Sequence, residues 1–102
     1  MRRIVWTQTA LDDLQNQLRY LATADDRLPL RIVAQLRADI DKLSALPSGR
    51  PGRVRGTFEK SLIHLPYIVA YALDTDHSGD RLVILRVIHK SRLWPKQTWP
   101  KP

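Results

Sequence analysis

The hydrophobic period of this chain changes once, from a helical spacing before Gly49 to a strand-like alternation after Gly52, and that single change points to an α+β fold. Leu11, Leu14, Leu18 and Leu21 recur at i, i+3, i+7 and i+10, which places four leucines on one stripe of an amphipathic helix. Asp12, Asp13, Gln15, Gln17 and Arg19 are expected to face water. Val33, Leu36, Ile40 and Leu43 repeat the spacing in a second helix. Pro29 suits that helix's first turn, where its missing N–H costs nothing, and Leu46-Pro47-Ser48-Gly49 supplies the stop. Before the helices, Arg3-Ile4-Val5-Trp6 reads as a short strand, and the stretch Thr7 to Asp12 offers N-cap candidates.

Beyond Gly52, Val54, Phe58 and Leu62 alternate with Arg53, Arg55, Thr57, Glu59 and Ser61, the pattern of a strand with one buried and one open face. Gly56 is a candidate bulge within it. Tyr67 to Leu73 and Leu82 to Ile88 read as two strands buried on both sides, joined by the polar loop Asp74 to Asp80. The expected architecture is an N-terminal strand and a two-helix hairpin packed on one face of a small antiparallel β-sheet, with the other face open for binding. One domain is expected over residues 1–95, followed by a basic tail over 96–102 that carries proline and tryptophan.

A chain of 102 residues suits one modest core. It has no apolar run long enough to span a membrane, and its first residues turn polar too early for a secretory signal, so a cytoplasmic location is expected. With no cysteine, and with His64, His77 and His89 scattered, neither a metal nor a cofactor is expected. The net charge of +7 favours an acidic partner. Residues 1–49 hold seven Lys/Arg against six Asp/Glu, whereas residues 50–102 hold ten against four, so the excess belongs to the second half.

Four stretches in this order carry a resemblance to a known family: Trp6-Thr7-Gln8-Thr9-Ala10-Leu11-Asp12-Asp13-Leu14, Gly49 to Thr57, Pro66-Tyr67-Ile68-Val69-Ala70-Tyr71, and Ile84 to His89 leading to Arg92-Leu93-Trp94-Pro95. Together they resemble the RelE/ParE superfamily, the toxins of bacterial type II toxin–antitoxin systems. The resemblance implies a cognate acidic antitoxin as partner. It leaves two targets open: RelE-like relatives cleave mRNA on the ribosome, and ParE-like relatives inhibit DNA gyrase on the same fold. A non-toxic, nucleic-acid-binding or complex-forming relative is a third possibility.

Metal-free RNA cleavage requires a base, an acid and cations for the charge that develops on phosphorus. His89, at the end of the last strand, is the first choice for proton transfer, because cations at Arg86, Lys90 and Arg92 favour a neutral imidazole. Arg53 and Arg55, two apart on the expected open strand face, join Arg86 as candidate catalytic cations. Arg50, Lys90, Arg92 and Trp94 are candidate substrate contacts, with Trp94 and Trp99 able either to stack bases or to pack. His64 shares the parity of Phe58 and Leu62 and is expected at the core or its rim. Glu59 is expected to pair with the arginines, and His77 to be exposed. On these residues the ribosome-dependent endonuclease leads and the gyrase inhibitor follows.

Overall fold

A computed structural model describes residues 2–91. The elements are β1 (Arg3–Trp6), α1 (Gln8–Ala24), α2 (Leu28–Ala45), β2 (Arg50–Pro51), β3 (Phe58–Ser61), β4 (Tyr67–Asp76) and β5 (Gly79–His89). The strands form one sheet in the order β1-β5-β4-β3-β2.

The sheet is mixed, which corrects the expectation of a purely antiparallel one. β1 runs parallel to β5, with Arg3 opposite Arg81 and Trp6 opposite Ile84, and the other pairings are antiparallel. The helical hairpin carries the chain away from β1, and the β3–β4–β5 meander returns it to the same edge in the same direction. Thr7 turns the corner into α1: its Oγ1 accepts the Ala10 N–H at 3.1 Å while its own N–H donates to the Ile84 carbonyl at 3.1 Å. Pro29 does lie in the first turn of α2.

The hairpin covers one face through Ala10, Leu36, Ile40 and Leu43, which meet Leu62, Val69, Tyr71, Leu82, Ile84 and Val87. The α1 stripe is rotated from its expected position, with Ala10 and Gln17 buried and Leu11 at 39% exposure. The opposite face is not simply open. Val5 packs there with Ala70, Ala72, Val83 and Leu85, a second apolar cluster placed by the period-2 alternation of β4 and β5.

Two boundaries differ from the sequence expectation. Residues 53–57 form a turn instead of a strand, because Gly52 N–H donates to Thr57 O at 2.8 Å and Thr57 N–H to Val54 O at 3.2 Å. Gly56, at φ +82°, belongs to this turn, and the β-bulge falls instead in β5, where Leu85 is the extra residue between the pairs Ala70–Arg86 and Tyr71–Ile84. The polar stretch 74–80 is mostly strand. Asp74 faces Arg81 and Thr75 faces Asp80 across the ladder, leaving only His77 and Ser78 as the turn.

Candidate functional site

The basic second half presents two groups of candidate residues, one on the β2–β3 loop and one at the C-terminal end of β5. The loop is built around a carboxylate. Glu59 is 3% exposed, and its Oε2 accepts the Arg53 N–H at 2.8 Å and Arg53 Nε at 3.2 Å, while Arg50 Nη2 stands 3.7 Å from Oε1. Arg53 and Arg55 therefore do not share an open strand face. Arg53 folds back on Glu59, and Arg55 is exposed in the turn. Gly49 lets the entering strand come this close: its φ is +120°, and a Cβ there would stand 2.6 Å from Glu59 O.

Arg86 is likewise engaged. Its Nε and Nη2 donate to the two carboxylate oxygens of Asp13 on α1, at 2.8 and 2.9 Å, and the residue is 9% exposed. Asp13 Oδ2 also accepts the Val87 N–H at 3.0 Å. β1 accompanies β5 only as far as Ile84, so Asp13 takes the place a longer β1 would have on the β5 edge. Asp13 was expected to face water. A partner 73 residues away in sequence turns it inward.

His89 lies opposite Tyr67, the two rings meeting edge to face with centroids 5.8 Å apart. Burial pushes the Tyr67 phenol above its ordinary pKa, so it stays protonated at neutral pH. Ser91 N–H donates to His89 Nδ1 at 3.2 Å, and Ser91 Oγ lies 2.8 Å from the same nitrogen. An Nδ1 that accepts a backbone N–H places the neutral ring's proton on Nε2, so the other nitrogen is a donor. Lys90, expected beside the imidazole, instead sends Nζ to Leu62 O at 2.8 Å, and its N–H donates to Pro66 O at 2.8 Å.

His64 is exposed, contrary to the parity argument, because β3 ends at Ser61 and the chain turns at Leu62, whose N–H donates to Tyr67 O. His77 is exposed as expected. Arg92, Trp94 and Trp99 lie outside the described residues. Among the described residues no helix is long and apolar enough to cross a membrane. Sequence reasoning missed Asp13 as a site organiser. It did pair Glu59 with the arginines, but on an exposed strand face instead of at the foot of a loop.

The sequence model described as the ParE toxin of the type II toxin–antitoxin system parDE matches residues 4–94. The chain belongs to the ParE toxin family. The protein Y4kP of Sinorhizobium fredii is 36% identical over 96 residues, covering 93% of this chain and 95% of its relative. Among solved structures, the chromosomal ParDE system from P. aeruginosa superposes with a TM-score of 0.75 at 22% identity, covering 87% of this chain and 96% of that one. The YoeB/ParE toxin from Agrobacterium tumefaciens gives 0.57 at 18% identity, with coverages of 85% and 97%. At these identities the structural likeness concerns the fold. Family membership makes the chain a toxin of a type II toxin–antitoxin system, and what it acts on is a separate question.

Proposed function

We propose that this ParE-family toxin arrests growth by binding and inhibiting DNA gyrase, and that it is neutralised by a cognate acidic antitoxin. The observation that carries this reading over mRNA cleavage is the Arg86–Asp13 clamp. A guanidinium held bidentate by a carboxylate at 9% exposure is a structural group, whereas phosphate-transfer chemistry needs its cation facing substrate.

Arg50 and Arg55 then serve as contacts for the target, with Arg53 on Glu59 and Lys90 on the Leu62 carbonyl holding the surface that presents them, and Arg92 and Trp94 extend the set by sequence. The exposed Arg55 leads it, held out by the turn that Glu59 anchors. The test is to induce the chain alone and follow DNA supercoiling and mRNA integrity together, then repeat with purified gyrase. Inhibition of purified gyrase with messages intact is the expected result. Cleavage of mRNA at the ribosomal A site with gyrase unaffected returns the endonuclease to first place.

A further inference from the structure

A groove of about 490 Å³ runs between the C-terminal end of α2 and the end of β3, and neither the arginines of the β2–β3 loop nor His89 line it. Leu43 and Leu62, each 3% exposed, form its floor. Leu46 and Ile63 stand at its mouth at 76% and 86% exposure, far more than an aliphatic side chain shows when its own fold supplies the cover. Lys42 and Lys60 line it from opposite sides. Asp39 faces the same space: its Oδ1 accepts from Gln35 Nε2 at 3.0 Å, but its buried Oδ2 has no hydrogen-bond partner among the described residues.

We propose that this groove seats the cognate antitoxin through one amphipathic segment, an apolar side chain between Leu46 and Ile63 with carboxylates beside it and a hydrogen-bond donor reaching Asp39. The inference rests on the toxin reading and names where its partner docks. Charge selects the occupant. A second copy would bring another +7 chain and the same two lysines against this rim, whereas an acidic segment pairs with both. Nucleic acid suits the lysines, but the floor is aliphatic and the exposed His64 is the one ring among the lining residues on which a base could stack, whereas Leu43, Leu46, Leu62 and Ile63 suit apolar anchors. Asp39 adds a chemical condition, because an acceptor shut off from water and left without a partner favours an occupant that brings a donor.

The test uses the full chain and the purified antitoxin encoded by the adjacent gene, with affinity measured by calorimetry. Ile63→Asp and Leu46→Asp place carboxylates at the mouth and should each weaken binding by about thirtyfold or more, the behaviour of a central anchor site. Ile63→Ser, a milder change at a fully solvated position, should weaken it by about fivefold and guards against any folding defect in the aspartate variants. Leu30→Asp, at a position 78% exposed on the first turn of α2 and not part of the groove, should leave affinity unchanged. Asp39→Ala should lower affinity about tenfold while leaving the free toxin at least as stable, since it removes an unsatisfied acceptor; a purely structural role would lower stability instead. Replacing Lys42 and Lys60 together by alanine should flatten the salt dependence of the association rate.

Antitoxin affinity within twofold of the parent in Ile63→Asp, Leu46→Asp and Ile63→Ser overturns the proposal. So does the finding that these variants dissolve a toxin dimer while antitoxin binding stays intact, which would assign the groove to a second copy. Gyrase inhibition by the same variants without antitoxin is read separately, so a wrong target and a wrong docking site give different results.

Discussion

Asp13 and Glu59 do the same work at two places, each converting arginines that sequence reading assigns to substrate into parts of the scaffold. Asp13 accepts Arg86 Nε, Arg86 Nη2 and the Val87 N–H. Removing one partner of a mostly buried pair strands the other, so Asp13→Asn and Arg86→Gln should each destabilise the fold by about 2–4 kcal/mol. The double variant should cost less than the two singles combined, with a coupling of about 1–3 kcal/mol measurable by urea denaturation. Additive effects would show that the pair does not function as a unit. Nothing local in the sequence announces the contact, because the two residues are 73 positions apart and Asp13 sits among polar helix residues. Thr7 and Pro29 were legible because capping chemistry acts over three or four residues.

At the scale of elements, the helices and the two long strands were readable from their periods, and the errors fell where alternation and hydrogen bonding disagree. Arg53-Val54-Arg55-Gly56-Thr57 alternates like a strand, yet the 52–57 and 54–57 hydrogen bonds close it into a turn. Glycine geometry tests that loop. Gly49→Ala meets both a φ of +120° and a backbone carbonyl 2.6 Å away, so it should cost about 2–4 kcal/mol and disorder the Arg50–Glu59 segment. Gly56→Ala, at φ +82° with open space around it, should cost about 1 kcal/mol. Comparable losses at the two sites would contradict the close approach at Gly49.

The β4–β5 tip makes a pH prediction. The Arg81 side chain, donating to both Asp74 oxygens at 2.6 Å, holds that carboxyl below its ordinary pKa, and the Ser78 N–H, followed by Arg3, does the same for Asp76. With folded pKa values depressed, this stabilisation is present above the unfolded carboxylate range. It is lost as pH falls through the lowered folded values. Amide exchange at the tip should therefore accelerate on acidification beyond its intrinsic rate, more so at low salt. Arg81→Gln should already exchange fast at pH 7 and respond less to acid. A tip equally protected at pH 7 and pH 3 would refute the link.

Across the whole molecule, topology decides what the basic half can do. The parallel β1–β5 pairing was not legible, since the sequence fixes neither which strand β1 joins nor its direction, and it is this pairing that brings α1 and Asp13 to the β5 edge. Two substitutions then separate charge from proton transfer. His89→Gln keeps a side-chain carbonyl able to accept the Ser91 N–H and an amide able to donate, so a gyrase inhibitor should keep its toxicity, whereas an enzyme losing its proton-transfer group should lose about 10²–10⁴ in rate. Arg55→Ala leaves the Glu59 anchor untouched because Arg55 is an exposed turn residue outside it, so the variant should fold normally and bind its target more weakly. The expected outcome is a toxic His89→Gln protein and a weakened Arg55→Ala protein, both with native thermal transitions and intact cellular mRNA. If His89→Gln instead folds normally, spares the cells, and abolishes A-site cleavage that the parent protein performs, then His89 is a catalytic residue and mRNA is the target.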